Sequence, residues 1–175
     1  MLCGLHNFYL VRAQLQTARE LSEELLTLAQ HIQDPTYLLG AHWTLGGARF
    51  CLGEFAPACE HWEQSLTLYA PQQHPANAFL FGWDLGVFCR AWEPHALWHL
   101  GYPQQALTMS REAVALAQEL AHPLSLALAV LPGATYRLRA GRGGDSALYR
   151  AEICVLSGMG DDHAGLDPGD TGPAR

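Results

Sequence analysis

The sequence predicts an all-α protein of antiparallel helical hairpins stacked side by side, followed by a poorly ordered C-terminal tail. Three observations predict it. Apolar residues recur at three- and four-residue spacing through most of residues 1–131. Glycine or proline stands at the ends of these stretches. Several of the connections are only a few residues long, which makes neighbouring helices pack antiparallel. With 175 residues, 49% of them hydrophobic, the chain can bury a core.

The first stripe follows Thr17, which has the spacing of a capping box with Glu20, and comprises Ala18, Leu21, Leu25, Leu28, Ala29 and Ile32. Asp34 before Pro35 is a helix-start signal. The stripe after it is Leu38, Ala41, Leu45, Ala48 and Leu52, closed by Gly53. A third helix carries Phe55, Ala58, Trp62, Leu66 and Tyr69 before Pro71. Residues 71–86 are too aromatic for a plain linker and too rich in Pro and Gly for a long helix, so a packed loop is predicted. Residues 87–100 form the next helix, stopping at Gly101. Pro103 stands where a helix start tolerates proline, ahead of Ala106, Met109, Ala113, Leu116, Ala117 and Leu120. His122 and Pro123 end that helix, and residues 124–131 begin another that Pro132 and Gly133 cut short.

Composition changes near Pro132: residues 1–131 hold eight glycines, and the far shorter segment 132–175 holds nine. The reading is therefore a helical domain over 1–131 and a weakly ordered Gly/Asp-rich tail over 132–175, with a short helix at most around residues 146–156.

The second hairpin supplies the phrase that identifies the unit. Leu45-Gly46, then Phe50, Gly53, Phe55, Ala58, Trp62 and Ser65 resemble a tetratricopeptide repeat. In that pattern Gly46 and Ala58 let two helices approach, Gly53 ends the first helix, and Trp62 fills space against the neighbouring repeat. Gly101, Tyr102, Pro103, Ala106 and Ala113 copy the turn and second helix, while Glu93-Pro94 stands where Leu-Gly is expected. Ala18, Ser22 and Leu25 give a first copy without the glycine turn. Ala18, Ala58 and Ala106 are 40 and 48 residues apart, against a usual period of about 34, so the units are elongated or interrupted. The resemblance implies a tetratricopeptide-like right-handed solenoid.

Longer phrases narrow the likeness. Residues 8–21, Leu52-Gly-Glu-Phe-Ala-Pro-Ala58, Tyr69-Ala-Pro-Gln-Gln-His74 and Ala115-Leu-Ala-Gln-Glu-Leu-Ala-His-Pro123 resemble the C-terminal helical-repeat region of large bacterial predicted ATPases, many of which carry adenylate or guanylate cyclase domains. The resemblance covers about residues 1–131 and implies a piece of a signalling protein. It transfers no catalytic residue, because the cyclase and ATPase segments are absent from this sequence. The tail departs from that family, and its Gly-, Arg- and Asp-rich composition suggests GC-rich coding DNA read out of frame after about Val130.

Ten arginines, no lysine and seventeen acids give a formal charge of −7. That balance lacks a nucleic-acid footprint and excludes P-loop and Schiff-base lysine chemistry. Cys3, Cys51, Cys59, Cys89 and Cys154 form no CxxC pair. Together with the lack of a secretory pattern or an apolar stretch of about 20 residues, they predict a cytoplasmic protein with free thiols and no membrane partner. Cys51 and Cys59 straddle one turn and are expected as thiols. His95 and His99 have the spacing of a metal pair, but no third ligand stands at motif spacing, so ordinary helix-surface histidines are expected. Asp161, Asp162, Asp167 and Asp170 do not follow the EF-hand order, and Gly141–Gly144 lacks a preceding strand. No catalytic motif is found, so no enzyme, metal or cofactor is expected.

The aromatic residues carry the functional expectation. If the first helix of each hairpin faces the inside of a curved stack, Trp43, Phe50, Phe88, His95 and Trp98 line one groove suited to an extended or helical peptide. Alternatively these rings are core between neighbouring hairpins. The expected function is a non-catalytic protein-interaction scaffold, binding a protein, a peptide or the missing domains of its own parent, with self-association through uncapped repeat ends. The other expectation is the ligand-sensing repeat region of a large transcriptional activator.

Overall fold

The computed structural model describes residues 2–130, with the side chains of residues 73–77 left aside; every regular element among the described residues is a helix. α1 (Leu2–Val11) and α2 (Leu15–Ile32) form the first pair, α3 (Pro35–Cys51) and α4 (Phe55–Leu68) the second, and α6 (Leu85–His99) and α7 (Pro103–Glu119) the third. Between the second and third pairs run a 3₁₀ turn (Pro71–Gln73) and the short helix α5 (His74–Phe81). Residues 123–130 form a last helical segment, α8. Each pair packs on itself, α2 packs on α3, and α4 packs on α6, so the pairs follow one another in chain order.

The segment expected as a packed loop is thus largely helical. Pro71 and Pro75 open the 3₁₀ turn and α5, positions where the missing N–H has no intrahelical partner to lose, so they start helices instead of breaking them. α5 also explains why the second and third units are spaced more widely than the first and second. The proposed capping box is not formed: α2 starts at Leu15, Thr17 lies inside it, and Gln14 occupies the cap without a side-chain hydrogen bond. Asp34 does cap α3, its Oδ1 accepting the Thr36 N–H at 2.8 Å ahead of Pro35. The tail 132–175, with its expected helix, its aspartates and Gly141–Gly144, lies outside the described residues.

The three pairs share a register set by the turn. Ala13, Gly53 and Gly101 all have positive φ, at 57°, 82° and 89°. Five residues beyond each comes Ala18, Ala58 or Ala106, all 0% exposed. A side chain of any size there would separate the two helices. Ala13 holds a left-handed conformation that costs a residue with a Cβ about 1 kcal/mol. Ala13→Gly is therefore expected to stabilise the chain by about 0.5–1 kcal/mol in urea unfolding, despite glycine's greater freedom when unfolded.

Trp62 fills the second pair. It is 0% exposed, and a Cβ added to Gly46 would lie 2.6 Å from its indole. Ser65 Oγ donates to the Leu39 carbonyl at 3.1 Å and ties α4 to α3. The first pair docks through polar groups instead: buried His6 Nδ1 lies 2.9 Å from Ser22 Oγ, which donates to the Ala18 carbonyl at 2.8 Å. Arg19 and Arg49 share Glu23 and Glu54 across the α2–α3 junction, with separations from 3.0 to 3.9 Å.

Asp84 anchors the third pair. Fully buried, it caps α6 by accepting the Val87 N–H at 2.8 Å on Oδ1 and the Tyr69 hydroxyl at 3.0 Å on Oδ2, while its own N–H donates to Ser125 Oγ at 2.9 Å. One residue thus fixes α4, α6 and α8 together. Inside α6, Pro94 is buried without breaking the helix.

Candidate functional site

The expected groove residues fall on α3 and α6, the first helices of the second and third pairs. Trp43 is 3% exposed and meets the rings of Phe88, Trp83 and Phe81 edge-on, with centroids 5.3, 5.8 and 6.0 Å away. It is core, the second of the two alternatives the sequence left open. Half-buried Phe88 stacks between Trp83 and Trp92 at 5.9 and 5.5 Å. Phe50 lies 6.2 Å from Trp92 and 6.1 Å from His95, and Trp92 and His95 are 5.4 Å apart. Trp98 is half-buried one turn further along α6.

Trp43, Phe50, Phe88 and His95 therefore belong to one continuous run of ring contacts at the junction of the second and third pairs. His99 extends the run by stacking on Phe55 at 4.6 Å. The sequence missed Trp83 and Trp92. Trp83 lies in the segment expected as a loop, and Trp92 stands four residues after Phe88 as its neighbour on the helix, outside the expected stripe. Edge-to-face and offset contacts of this kind add about 0.5–1.5 kcal/mol per pair beyond area burial.

The thiols and imidazoles have other surroundings. Cys3, Cys51, Cys59 and Cys89 are free. Burial pushes the Cys59 and Cys89 thiols up to about 12, which keeps them protonated and unreactive. Among the described residues no three His, Cys, Asp or Glu side chains come together in a way that could hold a metal ion. His42 and His61, from α3 and α4, face each other with Nδ1 atoms 3.1 Å apart, so one ring donates to the other only while at least one is neutral. Burial, then His42, then Arg49 lower His61 to about 4, and burial lowers His42.

Because both imidazoles are held below their ordinary value near 6.5, the unfolded chain binds more protons in the acid range. Their contribution to stability is complete above about pH 6.5 and is lost as pH falls toward 4. Urea unfolding at pH 7 and pH 5 is expected to show a weaker fold at pH 5, and His61→Gln is expected to flatten that difference.

At the first pair an apolar cleft of about 510 Å³ opens among α1, α2, α3 and α5, lined by Cys3, Leu25, Leu28, Ile32, Tyr37 and Phe81 among others. Leu28 and Ile32, expected on the buried stripe of α2, are about half exposed here. The stripe points at a place where no further described helix covers it. No described helix is long and apolar enough to cross a membrane. The chain matches no family model and no curated protein.

Proposed function

We propose that the chain is a non-catalytic interaction scaffold, a tetratricopeptide-like right-handed stack of hairpins from the regulatory region of a bacterial ATPase or nucleotide cyclase signalling protein. The observation that supports it is the half-buried aromatic run of Phe88, Trp92, Phe50 and His95, seated on the core ring of Trp43 and contributed by the first helices of two successive pairs. Half-buried rings held by their neighbours present apolar area at little ordering cost, which suits the anchors of an extended or helical peptide. The ligand is a peptide or another domain of the parent protein, and the location is the cytoplasm. The apolar cleft at the first pair supports self-association through that uncapped end.

Trp98→Ala tests the groove. Titration of labelled peptides bearing two aromatic or leucine anchors at helical spacing is expected to show binding that falls about tenfold or more in the variant, with little change in the urea midpoint. A loss of about 3–5 kcal/mol of stability instead would make Trp98 core and remove it from the groove. Absence of binding by every peptide and by the upstream parental domains would overturn the scaffold reading.

A further inference from the structure

The third pair departs from the second at one buried position. Glu93 stands eight residues before Gly101, as Leu45 stands eight before Gly53. Leu45 is 2% exposed and Glu93 is 1% exposed, so a place that holds a core leucine in one pair holds a carboxylate in the next. Among the described residues Glu93 Oε2 has no hydrogen-bond partner. A carboxylate oxygen taken out of water without a donor is strongly destabilising, which makes its presence there a cost to the fold alone.

Glu93 lines a cleft of about 420 Å³ between α4, α6 and α7. Glu63 from α4 and Glu112 from α7 line the same space, with Leu97, Met109 and Thr108, and none of the described lining residues is basic. The three carboxylates do not gather closely enough to hold one metal ion among the described residues. Negative charge is thus spread along a cleft with apolar side chains in its wall. That pattern is complementary to a long, flexible cation whose charges are separated by methylene groups.

We propose that this cleft binds an aliphatic polyamine, with one ammonium donating to Glu93 Oε2, another facing Glu63 or Glu112, and the methylene chain lying along Leu97 and Met109. An ammonium has three donors and no acceptor, so it supplies what the orphaned oxygen lacks. The cleft volume is in the range that encloses small organic ligands. The aromatic run lies between α3 and α6, whereas this cleft draws on α4, α6 and α7, so the proposal is independent of the peptide groove.

Glu63 from α4 and Arg90 on α6 act on Glu93, the Cys59 and Cys89 thiols feel its charge, and Glu112 on α7 lines the same cleft. Burial first, then Glu63, raises its carboxyl to about 7, with Arg90 opposing. Amines of the lysine type stay protonated well above that value, so affinity is expected to rise about tenfold between pH 6 and pH 8 as Glu93 ionises.

Calorimetric titration of the full chain with spermidine at pH 8 and about 0.15 M salt tests the assignment. One saturable site is expected, weakened about tenfold or more by Glu93→Gln and unchanged by Glu24→Gln, a surface charge removed elsewhere. Circular dichroism and the urea midpoint check that Glu93→Gln folds; should it not, Glu112→Gln on the exposed rim is expected to weaken binding in its place. Absence of saturable binding, equal loss in Glu24→Gln, or undiminished binding in folded Glu93→Gln would overturn the proposal. So would displacement of spermidine by magnesium at equal concentration, or tighter binding of an arginine-containing peptide than of spermidine.

Discussion

Trp62→Ala is expected to cost about 3–5 kcal/mol of stability, the largest loss from any single truncation in the second pair. The indole is fully buried, touches Phe50 at a centroid distance of 5.7 Å, and lies against the α-carbon of Gly46. Removing it leaves a void between α3 and α4 that helices tied by Ser65 and by the Gly53 turn close only in part. Domains of this size are stable by about 5–15 kcal/mol, so the variant should sit near the unfolding threshold at room temperature. Gly46→Ala should also destabilise, because its methyl meets the ring at 2.6 Å. The double variant is expected to lose less than the two single losses together, since the methyl then enters vacated space. Urea unfolding of all four proteins measures the coupling, and strict additivity would show that the two residues do not share the contact.

The second large effect has the opposite sign. Glu93→Leu is expected to stabilise the chain by about 3 kcal/mol at pH 8 and by much less at pH 5. Its carboxyl rises from 4.5 to about 7 on folding, and each tenfold displacement is worth about 1.4 kcal/mol. A raised acid contributes stability that is complete below pH 4.5 and is lost as pH climbs through 7, so the wild-type chain weakens across that interval and the leucine variant does not. Leucine is also the residue at the equivalent position of the second pair, where it is buried. Urea midpoints at pH 5 and pH 8 check the prediction. A leucine variant no more stable than wild type at pH 8 would mean that Glu93 is satisfied in solution. A carboxylate that the fold would be better without, retained beside two others, is the usual trade of stability for a site.

Much of the helical order was legible because it depends on local chemistry. Asp34-Pro35 starts a helix, Gly53 and Gly101 end hairpin strokes, and Ala58 and Ala106 sit where helices touch; each works through its own backbone or its own size. α1 was not legible, since Leu5, Phe8 and Val11 are exposed and only His6 is buried, leaving no apolar stripe to read. α5 was hidden by prolines read as breakers when they occupy first turns. Of the candidate site, the stripe on α6 was readable, but Trp83 joins it from a turn, and the His42–His61 pair depends on the rotation of α4 against α3. Such pairings are set by packing between helices, and no period along one helix encodes them. Glu93 stood out in the sequence only as a mismatch to a pattern; its burial turned that mismatch into an observation.

The run of rings also gives the protein an optical reporter. Trp43 and Trp83 are 5.8 Å apart, and Phe88 bridges Trp83 to Trp92, so the ultraviolet transitions of these indoles are coupled through space. Near-ultraviolet circular dichroism should therefore carry a strong signal from a single region of the molecule. Anything that binds between the second and third pairs should therefore alter this signal.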